Sequence, residues 1–168
     1  MKLNLSLLAF ILPLTLVFTS CKKDKDGPSN YFTYEGKTYE TNHAQSTDEG
    51  GYASTVFTSM DITSTGASGK LNAVNILFGK PELIAGTFTY KEEDDPQFDG
   101  TKNFFDAVVL VDVAFSNGSP DMNGNILETI TAGSVTISKD GSSFNVSYEL
   151  NFDGKIVSGK YSGAIKMN

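Results

Sequence analysis

The chain predicts an all-β fold, an antiparallel β-sandwich of about nine strands. Three observations carry this expectation. From Tyr31 onward, short segments rich in Val, Ile, Thr, Phe and Tyr alternate with clusters of Gly, Asn, Asp and Ser. Apolar residues recur with a period of two, and no helical periodicity persists beyond one or two turns. Asp140-Gly141 and Asp153-Gly154 stand between such segments as two-residue hairpin loops. The same strands could also close into a calycin-like up-and-down β-barrel, since periodicity alone does not separate the two.

The first element is a hairpin over residues 31–39 with Glu35-Gly36 as its loop, which sets Phe32 opposite Tyr39. The polar stretch 41–51 follows and reads as a loop carrying His43, the only histidine. Further strands are expected over 52–60, 71–79, 86–90 and 104–115. In the last of these, Phe105, Ala107, Val109, Val111, Val113 and Phe115 form one face, while Val108 and Leu110 make the middle of the other face apolar. A strand apolar on both sides is usually central, so the sheet should be covered on both faces near its middle.

The C-terminal third can be read pair by pair. A loop at Asp140-Gly141 places Ile137 opposite Phe144, Val135 opposite Val146 and Thr136 opposite Asn145. A loop at Asp153-Gly154 places Leu150 opposite Val157, Tyr148 opposite Gly159, Val146 opposite Tyr161 and Phe144 opposite Gly163. All these apolar residues fall on one face, and a one-residue slip would turn every one of them outward. The other face carries Ser138, Asn145, Ser147, Glu149, Ser158, Lys160 and Ser162, the wet side of an antiparallel sheet.

The start of the chain has a different character. Met1-Lys2 precedes an apolar run over 3–18, then Thr19, Ser20 and Cys21. Sixteen residues interrupted by Pro13 fall short of the roughly 20 that a spanning helix needs, and the pattern is that of a secretory signal over 1–20. Phe18-Thr19-Ser20-Cys21 resembles the bacterial lipobox, in which the chain is cut before the cysteine and that cysteine is acylated. Cys21 is the only cysteine and has no intrachain disulfide partner. The resemblance implies a membrane contact made through the lipid on Cys21 rather than through a span. Residues 21–30 then form the lipidated cysteine and a flexible tether, rich in Lys and Asp and closing with Gly, Pro, Ser and Asn. Residues 31–168 form one domain.

The tether's Lys-Lys-Asp-Lys-Asp run resembles the surface-export signal of Bacteroidota-type lipoproteins. The succession of Tyr-Glu-Gly-Lys-Thr-Tyr, Ala-Gly-Thr-Phe-Thr-Tyr and Gly-Lys-Tyr-Ser-Gly resembles small uncharacterised members of that group. The likeness implies an outer membrane lipoprotein, periplasmic or surface-exposed, with no reaction to carry over.

Charge narrows the partners. The 168 residues hold 13 basic and 20 acidic side chains, for a net charge of −7. Loss of Lys2 with the signal would make it −8. Every basic residue is lysine, so the arginine forks and positive field that nucleic-acid recognition uses are missing. No nucleic-acid partner is expected.

Catalytic groupings are sparse. A Ser-His-Asp triad would have to be built on His43, and no Gly-x-Ser-x-Gly elbow supplies its serine. Carboxylates are plentiful but lie mainly in turns, which leaves a two-carboxylate glycosidase as an alternative without a specific pair. The acidic loop Glu92-Glu93-Asp94-Asp95 with Asp99 concentrates oxygen ligands of the kind calcium uses, and Asp121-Met122-Asn123-Gly124-Asn125 begins like a calcium loop. The latter has Ile126 and Ala132 where glycine and glutamate belong. Both are read first as solvated turns, and Asp94, Asp95, Asp99, Asp121 and Asn123 are kept as candidate ligand-binding residues without an assigned metal or cofactor. The expected function is a lipid-anchored, non-catalytic binding or interaction module for a glycan, peptide or protein. The alternatives are a barrel-type carrier of a small apolar ligand and the carboxylate hydrolase. The loops 91–103 and 116–125 are the expected contact surface.

Overall fold

A computed structural model describes residues 28–168; the signal over 1–20, Cys21 and the first part of the tether lie outside the described residues. The described residues are all-β, with no helix. Thirteen strands occur: β1 (Tyr31–Tyr34), β2 (Lys37–Glu40), β3 (His43–Asp48), β4 (Ala53–Thr58), β5 (Gly69–Phe78), β6 (Gly86–Tyr90), β7 (Asn103–Ser116), β8 (Ser119–Pro120), β9 (Asn125–Leu127), β10 (Ala132–Asp140), β11 (Ser143–Phe152), β12 (Lys155–Gly163) and β13 (Lys166–Met167). They join in one mixed sheet in the order β13-β3-β4-β5-β7-β6-β10-β11-β12-β1-β2, with β8 and β9 added along β7. The count therefore exceeds the expected nine. The sheet is open, ending at β13 and β2, so the up-and-down barrel does not form.

The hairpin loops set most of this register. Asp153 and Gly154 both have positive φ, 52° and 86°, as a I′ loop requires, and the β11–β12 pairs fall as predicted, with Tyr148 opposite Gly159 and Val146 opposite Tyr161. Glu35-Gly36 behaves likewise and pairs Phe32 with Tyr39. The β10–β11 loop differs. Its two residues are Gly141-Ser142, because Asp140 pairs with Ser143, and only Gly141 takes a positive φ, the pattern of a II′ loop. Ile137 therefore faces Val146, Val135 faces Tyr148 and Thr136 faces Ser147. The slip is two residues along the partner strand, so every side chain keeps its expected face.

Polar sequence hid one strand. Residues 43–48 form β3 rather than loop, and Ser46 enters the interior because its hydroxyl lies 2.9 Å from that of Thr55 on β4, each satisfying the other. Asn30 also belongs to the domain rather than the tether. It is buried, its carbonyl accepts from Thr41 N at 3.1 Å, and its Oδ1 accepts from Ser162 N at 2.8 Å.

The central strand β7 departs from simple alternation at two bulges. Leu77 pairs with Asp106 and Phe78 with Phe104, leaving Phe105 as the extra residue. Phe104 thereby fills the core, whereas Phe105 turns outward against Tyr52 and Phe98. The second bulge lies at Asp112, whose φ is 52° and whose N–H donates to Asn72 Oδ1 at 2.7 Å. Beyond it the faces exchange. Ala107, Val109 and Val111 join the main core, but Phe115 packs with Leu71 and Ala73 on the other side of the sheet, partly covered by Met60, Ile62 and Ala67. The expected single face from 105 to 115 is thus divided, while the expected cover on both sides of the middle is present.

Rings close the main core. Phe57 of β4 lies 5.3 Å from Tyr161 of β12 and 5.9 Å from Tyr148 of β11, centroid to centroid. These strands are far apart in the sheet order, so the sheet folds over and its two wings meet across one core. The outer face of the second wing is ordered in rows set by the register. Thr87, Thr136, Ser147, Lys160, Tyr31 and Glu40 form one row, Thr89, Ser134, Glu149, Ser158, Thr33 and Thr38 the next, and Ala132, Asn151 and exposed Ile156 another. A further short row joins Ser138, Asn145 and Ser162.

Gly159 is a sensitive point of this packing. A Cβ there would stand 2.5 Å from Tyr148 Oη and 2.6 Å from the Tyr31 carbonyl. Gly159→Ala is expected to destabilise by about 1–3 kcal/mol through overpacking, and Tyr161→Ala by about 3–5 kcal/mol. Glu149→Ala on the wet face should stay within about 0.5 kcal/mol. Urea midpoints of the three variants check this, and equal losses in all three would refute the register.

Candidate functional site

One cleft lies where the sheet fails to close. After β12 the chain crosses through Ala164 and buried Ile165 to pair β13 in parallel with β3. Beside this crossing, the edge of β3, the β4–β5 connection and the end of β12 enclose about 340 Å³. His43, Thr58, Asp61, Tyr161 and Lys166 contribute to its walls. Tyr161 Oη donates to the Ala164 carbonyl at 2.7 Å, which pins the crossing to the core ring, and burial raises that phenol above its ordinary pKa. Thr58 Oγ1 donates to the Met60 carbonyl at 2.7 Å and shapes the turn into the β4–β5 connection.

Asp61 heads that connection as a turn acceptor. Its Oδ1 receives Thr63 Oγ1 at 2.6 Å and Thr63 N at 2.9 Å. The Thr63 hydroxyl, then that of Ser64, then the Thr63 amide bring its carboxyl down to about 2, with a smaller contribution from the charge of His43. His43 itself is the exposed first residue of β3, in register with Thr58. The cleft therefore offers a fixed anion, a lysine and an imidazole around a half-apolar hollow, but no nucleophile held by a base.

The residues predicted as ligands lie elsewhere and do not converge. Asp94, Asp95 and Asp99 are in the β6–β7 connection. Asp94 is exposed. Asp95 Oδ1 accepts from Gln97 N at 2.7 Å and its Oδ2 pairs with Lys91 at 3.3 Å. Asp99 Oδ1 accepts Thr101 Oγ1 at 2.6 Å and Thr101 N at 2.9 Å, with Lys102 at 2.9 Å from Oδ2. Asp121, in the β8–β9 connection, accepts both the backbone and side-chain N–H of Asn123 at 3.0 Å. These donors hold Asp95, Asp99 and Asp121 below the ordinary carboxylate range: the Gln97 amide for Asp95, the Thr101 hydroxyl for Asp99 and the Asn123 amide for Asp121. Each is an Asx-type turn whose acceptor is spent locally. Among the described residues, no three His, Cys, Asp or Glu are grouped to hold a metal ion.

Two features escaped the sequence. Asn117-Gly118, both at positive φ, is a strong hairpin signal that folds β8 back on β7; its turn meets the 62–68 segment around a second hollow of about 510 Å³. Asp106 is held above its ordinary value, chiefly by burial, with the charge of Glu128 adding to it. Tyr90 is raised beside it by burial and by Glu92, Asp106 and Asp94. The sequence signal was an aspartate inside an apolar strand, and only the placement of β6 and β9 along β7 shows its neighbours.

Comparison with family models, curated proteins and solved structures returns no match.

The pKa of Asp61 makes a stability statement. Its folded value lies below its unfolded value of about 3.9, so the turn contributes fully above that pH and loses its contribution as pH falls through about 2. Thermal melts of the wild type should fall in temperature across this window, and Asp61→Asn, which keeps the turn acceptor but not the charge, should flatten that slope. An unchanged slope would remove Asp61 from the account.

Proposed function

We propose that the chain is a lipid-anchored, non-catalytic binding module of a bacterial envelope, with its partner seated at the open seam and neighbouring loops. The observation that carries this reading is the open seam, where Asp61, fixed by the Thr63 hydroxyl and amide, stands with His43 and Lys166 around a hollow of about 340 Å³. An exposed edge and turn held on a rigid β scaffold suit recognition. In this reading the two wings act as the two layers of a sandwich around the Phe57 contact. A carrier of small apolar ligands would need an empty interior, and Phe57, Tyr148 and Tyr161 occupy the space between the wings.

The anchor follows from the lipobox-like 18–21 segment. Cys21→Ser should abolish palmitate incorporation and move the protein to the soluble fraction. Unchanged labelling would end the lipoprotein reading. For the seam, a photo-crosslinker at Gln45 in the full chain should capture an envelope component in cells.

A carboxylate hydrolase is the second reading, and raised Asp106 beside Glu128 favours it. A screen of ester, peptide and glycoside substrates decides between them. No turnover is expected, and turnover lost in Asp106→Asn would overturn the binding-module reading.

A further inference from the structure

Two Asn-Gly pairs occur in the chain, Asn117-Gly118 and Asn123-Gly124, and the fold holds them differently. An asparagine before glycine is chemically reactive, because the glycine nitrogen can attack the side-chain carboxamide with no Cβ on its own residue to hinder the approach. Both pairs are exposed. What separates them is how firmly the attacking nitrogen and the carboxamide are held.

At Asn123-Gly124 both groups are engaged. The Asn123 side-chain N–H donates to Asp121 Oδ1 at 3.0 Å, and Gly124 N donates to the Asp121 carbonyl at 3.0 Å. Gly124 is also packed in place, since a Cβ there would stand 2.9 Å from Val113 Cγ2, and the next residue, Asn125, pairs with Val111. Asn117-Gly118 has none of these restraints. Among the described residues, neither the Asn117 carboxamide nor the Gly118 N–H has a hydrogen-bond partner, and a Cβ on Gly118 would meet nothing within 4 Å. The turn is closed by Ser116 opposite Ser119 and, beyond it, by Asp121 N donating to the Ala114 carbonyl at 2.7 Å. Between them Pro120, the second of the two residues of β8, has no N–H to give. Hairpin ends held by so few bonds open locally at low free-energy cost.

We propose that Asn117 is a site of spontaneous covalent modification, passing through a cyclic imide to aspartate and isoaspartate. When the turn opens, the Gly118 nitrogen gives up its proton to solvent base and bonds to Asn117 Cγ; the bond from Cγ to the side-chain nitrogen breaks, and ammonia leaves. Water then opens the ring. Opening at Cγ yields aspartate, and opening at the main-chain carbonyl yields isoaspartate, whose link to Gly118 runs through the side chain. Either product adds one negative charge. Ser116, Asn117 and Gly118 form one wall of the hollow of about 510 Å³ that Thr63, Ser64 and Ser68 also bound, and every residue around it is uncharged. The reaction therefore sets a carboxylate in the wall of a neutral hollow, and the isoaspartyl form also lengthens the turn by one backbone carbon. It needs no partner and so is independent of what the seam binds.

Peptide mapping of the full chain during incubation at physiological temperature and mildly alkaline pH tests this, with fragmentation that assigns each deamidation to one asparagine and separates aspartate from isoaspartate. In the folded chain Asn117 should convert at least about tenfold faster than Asn123, because two hydrogen bonds must break before the latter can react. In concentrated urea the two pairs should convert at comparable rates, since each is then an unhindered Asn-Gly. Absence of conversion at Asn117, conversion of Asn123 at an equal or greater rate in the folded chain, or the same preference for Asn117 in urea would each overturn the proposal.

Discussion

The contact of Phe57 with Tyr148 and Tyr161 is the constraint on which the remaining architecture depends. It joins β4 to β11 and β12, strands that the hydrogen-bonded order keeps far apart. Aromatic pairs at these separations contribute about 0.5–1.5 kcal/mol beyond the area they bury, and they also decide how the sheet curls. Gly159 leaves room for the Tyr148 ring, and Tyr161 Oη ties down Ala164. The chain end can then cross to β3, bury Ile165 and cover part of an edge that would otherwise be free to pair with another chain.

The same crossing creates the seam cleft. Because β13 contributes only two residues, it pairs with β3 at Gln45 and Ser46 and leaves His43 and Ala44 without a strand partner on that edge, and Gln45 lines the hollow beside them. The site is therefore a by-product of incomplete closure: an edge, a turn and a terminal segment brought together by core packing. Its electrostatics come from a turn, since Asp61 is oriented by the hydroxyls and amide that form the β4–β5 connection.

The two outer faces of the sheet contrast. Over β5 and β7, bulges rotate Phe105 and Phe115 outward, and the loops carrying Phe98, Met60 and Ile62 fold back to cover them. Over β10, β11 and β12 the alternation is unbroken, and the outer rows remain hydroxyl-bearing and open. Bulges thus divide the sheet into a wing with an additional small core and a wing with a regular polar surface.

Much of the β architecture was legible in the sequence because it depends on local rules. Asp153-Gly154 and Glu35-Gly36 specify I′ loops by backbone chemistry alone, and period-two alternation assigns faces even where the Gly141-Ser142 loop slides the register by two. β3 was not legible, because Ser46 is tolerated inside only when Thr55 stands opposite to satisfy it, and that partner is set by pairing. Nor was the division of β7: a bulge at Phe105 or Asp112 is a property of two strands, expressed when β5 supplies fewer residues than β7. The predicted ligand residues were legible as turns, and their side chains close those turns. The cleft and the neighbours of Asp106 came only from tertiary structure, since each assembles strands distant in sequence. The sequence by itself determined strand identity, hairpin chemistry and the polar face, all governed by residues within a few positions of one another; the fold-over, the seam and the bulges were decided by packing between wings, where only long-range contacts supply the energy.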